Sequence, residues 1–347
     1  MQTYTDKQQP WYSIMKQIET VEIVSGITTV GNNAFKDCAL IPSIHMLPNL
    51  KAIGNNAYDG CKAITVFIVP STVQTIGSYA FANCTGLTNV VVPKTLKTLG
   101  SYAFSNCTSL KSATISDGVG NIGNFIFDRC TALEEIKLPY AGTSLESVNE
   151  ADSSLNMVKK LFINGVDEKT YSIYCDGYKH IPKSLKKVTV TGGTRIPTDA
   201  FNGFKNLTEI NLPDTITSIG DNAFEGCGSL SALPNIKNVK TIGSYAFANC
   251  KSLESVTIPS ATDVLGNYAF SNCTSLQSAT ISDGVGSIGV YVFDKCIAIE
   301  SITLPYAGTS LESVNKADSS LNMVKKLFIN GIKEKTYSIY YDGYKHI

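Results

Sequence analysis

Charge is scarce in this sequence and evenly split. Charged residues make up 17 % of the chain, 29 basic against 29 acidic, so the formal net charge is zero and the pI is near 6.8. No bulk field would draw such a chain onto nucleic acid or an anionic membrane, and neither is expected as a partner. Basic runs do not exceed pairs: Lys159–Lys160, Lys186–Lys187 and Lys325–Lys326. No stretch approaches the roughly 18 apolar residues that cross a bilayer as a helix. The opening MQTYTDKQQPWYS lacks the apolar core of a secretory leader, so an exported protein would already have lost one.

Groups with reactive chemistry are equally thin. The three histidines, His45, His180 and His346, stand in no Gly-x-Ser-x-Gly or His-Glu-x-x-His arrangement. Cysteines are present but not in the CxxC or Cys/His spacing that holds zinc. Carboxylates are scattered, with no pair set for acid–base work. ISDGVG at 115–120 and 281–286 resembles a calcium or phosphate loop, yet lacks the remaining ligands and reads as a turn. These absences argue against an enzyme and predict no metal or cofactor.

What the sequence has in quantity is repetition. Cysteines fall at 38, 61, 84, 107 and 130, then at 227, 250, 273 and 296, evenly spaced within each group. Glycines keep the same step from Gly31 to Gly123 and from Gly220 to Gly289. The common unit, I-G-x-x-A-F-x-x-C-x-x-L-x-x-I-x-I-P, is clearest from Ile76 to Pro93. A fixed period in this range means stacked coils, each too small to bury its own faces. Within the unit, Val90 and Val92 should point inward and Val91 outward on a strand that Pro93 ends. Gly77 reads as a tight corner, and Ala80, Phe81 and Cys84 as one short helical turn facing the core. Nine cysteines then occupy one buried column and are expected to stay reduced; Cys175 stands outside that column.

The motif resembles the BspA-like, Treponema-type leucine-rich repeat of bacterial and protozoan surface proteins. The resemblance rests on AF-x-x-C-x-x-L at 34–41, 80–87, 103–110, 223–230, 246–253 and 269–276, on the glycine column, and on the strand-ending prolines 70, 93, 139, 213, 259 and 305. PWYS at 10–13, with Ile18, Val21 and Ile23 following, is similar to the first coil of such proteins. It implies an α/β right-handed solenoid with a parallel sheet on the concave face and short helical turns and irregular segments on the convex side. It further implies an extracellular or cell-surface location and a non-catalytic adhesion module that engages host-matrix or microbial-surface protein through the concave sheet, as a monomer. A passive spacer displaying another domain, or a carbohydrate-binding region attached to an enzyme, are the alternative readings.

The chain also copies itself at a constant offset. IGSYAFANC at 76–84 returns at 242–250, and LPYAGTSLESVN at 138–149 returns at 304–315. One continuous solenoid over 1–347 is therefore expected, built from seven-coil blocks at 15–181 and 182–347, about 14 coils in all. Because residue 347 falls in mid-array without a polar capping coil, a piece of a longer protein is expected. The tyrosine-rich segment 164–182 reads as a degenerate coil or a protruding loop.

Strand alternation places two outward columns on the concave sheet, mostly Ser, Thr and Asn. Two clusters depart from that chemistry. Val66, Ile68 and Val91 form an apolar patch, and Lys137, Lys160, Phe162 and Lys187 surround an aromatic ring with cations, with Phe328 as the counterpart of Phe162 in the second block. The first suits a protein, the second an acidic glycan or acidic protein segment.

Overall fold

The computed structural model describes residues 4–5, 7–23, 26–45, 49–141, 157–162, 181–304, 327–328, 338–341 and 344–346. The chain divides into two compact units, Met1–Ser144 with Met157–Thr191, and Gly192–Ile347 with Leu145–Asn156. Each is a parallel-strand solenoid whose described residues contain almost no helix. The expected solenoid with a parallel sheet is borne out, with a composition that is mostly β rather than strongly α/β.

In the first unit, Val66–Ile68, Asn89–Val92, Ser112–Ile115, Glu135–Leu138 and Lys187–Val190 form a parallel sheet. Asn89–Val92 follows the alternation its valines dictate: Val90 and Val92 buried, Asn89 and Val91 exposed. A second parallel sheet, which the sequence reading did not foresee, joins Thr29–Val30, Ala52–Ile53, Thr75–Ile76, Thr98–Leu99 and Asn121–Ile122. The second unit repeats this short-strand ladder with Arg195–Ile196, Ser218–Ile219, Thr241–Ile242, Val264–Leu265 and Ser287–Ile288. Its longer strands are Ser255–Ile258, Ser278–Ile281, Ser301–Thr303 and Ser338–Tyr341, parallel throughout, before Tyr344–His346 returns antiparallel.

The glycine column serves close approach rather than a corner. A Cβ on Gly77 would lie 2.6 Å from the backbone nitrogen of Asn55 in the preceding coil, nearer than any real Cβ contact. Hydrogen there lets successive short strands stack.

The Ala-Phe-x-x-Cys segment is not a helical turn. Tyr79 and Asn83, on either side of Phe81, both have φ of 58°. Two left-handed positions so close together cannot continue a helix. Instead the N–H groups of Tyr79, Phe81 and Asn83 donate to the carbonyls of Ser101, Ala103 and Ser105 at 3.0, 2.8 and 2.8 Å. The segment is a third ladder of coil-to-coil bonds, built from turns.

That geometry stacks the core. Trp11, Phe35, Tyr58, Phe81, Phe104 and Phe127 follow one another at centroid separations of 5.7, 5.3, 5.3, 5.5 and 6.0 Å. Each buried ring contributes about 1.5–3 kcal/mol by leaving water, and each offset stack roughly 0.5–1.5 kcal/mol more. Beside the rings runs the thiol column. Cys84 Sγ donates to the Tyr58 carbonyl at 3.2 Å, Cys107 Sγ to Phe81 at 3.3 Å and Cys130 Sγ to Phe104 at 3.2 Å. All nine described cysteines are buried and free.

The unit that fades after Cys130 is continued from further along the chain. Met157–Phe162 is a short α-helix whose Leu161 carbonyl accepts from Phe127 N at 3.1 Å, the bond a regular coil would make. The regular step would put the ring after Phe127 at position 150, whereas Phe162 supplies it, twelve residues later in the sequence. The second unit repeats the device: Phe293 N donates to the Leu327 carbonyl at 3.1 Å. Glu135–Leu138 then pairs directly with Lys187–Val190. No strand at 160–162 intervenes between them. The short-strand ladders give five rungs in each unit, ten turns among the described residues, against the expected 14.

Candidate binding surface

The long-strand sheet presents the patch formed by Val66, Ile68 and Val91. Phe67 and Val90 face the core from the same strands, so the pleat turns these three outward. Their exposures are 53, 80 and 50 %, and Ile68 is paired with Val91 in the parallel register. Three apolar side chains are thus brought together at one end of a sheet whose other outward residues are polar, Asn89, Ser112 and Thr114 among them.

The cationic cluster is only partly assembled. Glu135 lies opposite Lys187 and Lys137 opposite Thr189. Lys187 Nζ sits 3.9 Å from Glu135 Oε1, which offsets one of the two cations on the face. Lys160 belongs to the helix Met157–Phe162 rather than to the sheet. Phe162 is fully buried, packed on Phe127 at 6.5 Å, and cannot meet a ligand. Phe328 is half-buried against Phe293 at 6.3 Å, again in the core stack and not on the sheet face. Both phenylalanines fall off the sheet because strands counted at a constant period do not hold beyond Cys130 and Cys296, where the repeat unit fades.

A second surface was missed. Tyr79 and Tyr102 stack face to face at 4.7 Å with planes 4° apart, and Phe125 continues the row at 5.0 Å. Tyr245 and Tyr268 stack at 4.8 Å and 5°, followed by Tyr291 at 5.1 Å. All six rings stand on left-handed residues, φ between 55° and 61°. Left-handed backbone costs a side-chain-bearing residue roughly 1–2 kcal/mol. Two stacks of about 0.5–1.5 kcal/mol do not offset three such positions. Burial of Tyr102, and after it the neighbouring Tyr79, raises its phenol above the ordinary range. The signal was in the same column: Asn33 and Asn56, types that tolerate this conformation, stand where the rings stand in later coils.

Cys175, His180 and most of the tyrosine-rich segment 164–182 lie outside the described residues. Among the described residues no group of three or more His, Cys, Asp or Glu could hold a metal ion, and no helix is long and apolar enough to cross a membrane.

Comparison with solved structures finds similar chains. A leucine-rich repeat protein from Bacteroides ovatus ATCC 8483 is 21 % identical over 94 % of this chain and 84 % of that one, with a TM-score of 0.45. One from Eubacterium ventriosum ATCC 27560 is 25 % identical over 88 % and 78 %, TM-score 0.40. A leucine rich cell surface protein from Faecalibacterium prausnitzii A2-165 is 25 % identical over 80 % and 76 %, TM-score 0.34. Comparison with curated proteins gives no match. The family model described as "BspA type Leucine rich repeat region (6 copies)" matches residues 8–134, 51–159 and 194–322. Carrying that repeat over most of its length, the chain belongs to the BspA-type leucine-rich repeat family.

Proposed function

We propose that this chain is a non-catalytic adhesion module of a cell surface, which engages a protein partner through the long-strand sheet at Val66, Ile68 and Val91. Leucine-rich repeat proteins are in general protein-interaction modules. The observation that carries the reading is the 80 % exposure of Ile68, flanked by two half-exposed valines on a rigid sheet. Paired strands hold these side chains in place, so little conformational freedom is lost on docking. Small hydroxyl and amide side chains around them supply a polar rim.

The test is solid-phase binding of the chain to immobilised fibronectin, laminin and collagen and to whole bacterial cells. The wild type is compared with Val66→Ser/Ile68→Thr/Val91→Thr, whose new residues are the types found along the same columns. Binding that falls at least about tenfold with an unchanged melting temperature supports the reading. Undiminished binding by the triple variant refutes this site. Failure of the wild type to bind any surface favours the spacer reading, which suits the Ser/Thr chemistry of the remaining face.

A further inference from the structure

The two outer aromatic rows end alike. Tyr79 opens the row in the first unit and Tyr245 in the second, and their next rings, Tyr102 and Tyr268, each cover one face. The other face has no ring against it. One coil earlier the same column holds Asn56 and Asn222. Exposure follows: Tyr79 is 41 % and Tyr245 39 % exposed, whereas Tyr102 and Tyr268, with rings on both sides, are less so. Neither the Asn56 nor the Asn222 amide makes a hydrogen bond to a described residue, nor do the hydroxyls of Tyr79 and Tyr245. The residues just before the asparagines are engaged instead: Asn55 Oδ1 accepts from Ser78 N at 2.8 Å and Asp221 Oδ1 from Ser244 N at 2.7 Å.

We propose that Tyr79 with Asn56, and Tyr245 with Asn222, form two equivalent shallow subsites for a pyranose ring of a neutral glycan. The ring of Tyr79 offers one apolar face with no second ring on it, and the Asn56 amide and Tyr79 hydroxyl offer donors and acceptors that no described residue uses. A pyranose has the complementary build: an apolar face of axial C–H groups rimmed by hydroxyls. A nucleobase would also stack, but it brings phosphates, and positions 55, 56, 78 and 79 carry no cation to receive them while Asp221 opposes them. Backbone strain supports the assignment. Tyrosine is held in a left-handed conformation that asparagine occupies one coil earlier, and stacking offsets that strain only in part. The proposal is separate from protein binding on the long-strand sheet.

The experiment is saturation-transfer NMR and calorimetric titration of the whole chain with cellotetraose, chitotetraose and maltotetraose. At least one should bind with a millimolar dissociation constant, with saturation concentrated on the C–H protons of one ring face. Tyr79→Asn/Tyr245→Asn places at both sites the residue its backbone already accepts, so the fold and melting temperature should be kept or improved. That variant should lose about tenfold or more in affinity, each single variant should lose one of two sites, and Tyr79→Phe/Tyr245→Phe should stay within about threefold. Val66→Ser/Ile68→Thr/Val91→Thr should bind sugar normally. No transfer to any of the three tetrasaccharides, undiminished binding by Tyr79→Asn/Tyr245→Asn, or a response to N-acetyltyrosinamide instead of sugar would each overturn the proposal.

Discussion

The indole of Trp11 lies 5.7 Å from the ring of Phe35 with planes 17° apart, and its Nε1 donates to the carbonyl of Ala34 at 2.8 Å. In the later coils of the first unit that carbonyl position accepts from a backbone N–H of the coil before, as Ala57 does from Phe35 and Ala103 from Phe81. At the coil of Ala34 the Trp11 side chain takes that place. Tyr4 N on Asn32 at 3.1 Å and Gln9 Nε2 on Asn33 at 2.6 Å complete the substitution. The only tryptophan of the chain is thus an end cap, placed where an aromatic stack and a row of carbonyls both need closing.

Trp11→Phe keeps the stack and loses the donor, so it should cost about 1–2 kcal/mol. Trp11→Ala loses both and should cost about 2–4 kcal/mol. Urea denaturation followed by far-ultraviolet circular dichroism ranks the three proteins. Equal midpoints would show that residues 4–17 do not cap the array.

Tyr58 takes a phenylalanine's place in the core stack, and its buried hydroxyl has no hydrogen-bond partner among the described residues. Burial pushes its phenol well above the ordinary range. Phe224 stands at the matching position of the second unit. Tyr58→Phe should therefore stabilise the protein by about 1 kcal/mol, read as a higher melting temperature. A lower one would mean that the hydroxyl is satisfied in solution.

Two glycines should respond differently to alanine. Gly77→Ala drives a methyl group into the backbone of Asn55 and forces coils apart, costing about 2–3 kcal/mol. Gly26 has φ of 92° but open space around it, so Gly26→Ala carries only the conformational cost, about 1–2 kcal/mol. Equal melting temperatures for the two variants would contradict close approach as the reason for the glycine column.

The column cysteines should be silent in the native protein. Burial raises Cys38 to about 11 and Cys250 to about 12, so the reactive thiolate is absent at pH 8. Ellman titration of the Cys175→Ser variant under non-reducing conditions should detect none of the nine before denaturant is added and all nine after. A shortfall after denaturation would reveal disulfides along the column.

Glu225 sets a pH dependence of stability. Burial first, then the nearby Asp199, raises its carboxyl above the ordinary value, with hydrogen bonds from Asn249 and Asn202 opposing. The folded state therefore holds this proton more tightly than the unfolded chain. Its contribution is complete below the unfolded value, near 4.5, and is lost as pH rises through the folded one. Glu225→Gln should flatten the fall in melting temperature between pH 4 and 7, and parallel curves for the two proteins would exclude the effect.

The sequence carried the long strands residue by residue, because Val90, Val91 and Val92 obey the simplest periodicity a chain can have. It carried the thiol and phenylalanine columns for the same reason. It misled at Tyr79 and Asn83, since four-residue spacing between apolar positions fits one helical turn and two left-handed turns alike. Only the asparagines at 33 and 56 tell these apart. It misled again at Phe162, which continues the stack after Phe127 at a spacing other than the repeat's. Of the candidate surface, Val66, Ile68 and Val91 were legible from strand parity alone, whereas the tyrosine rows needed coordinates.

The direction of the bonds that join one coil to the next has a mechanical outcome. They lie roughly along the stacking axis, so a pull on a unit's two ends loads them one rung at a time instead of shearing a whole sheet at once. Turns would peel singly from an end, each releasing about 75 Å of contour. Such a tether yields early and lengthens far, absorbing sudden load gradually where a compact globule would snap open.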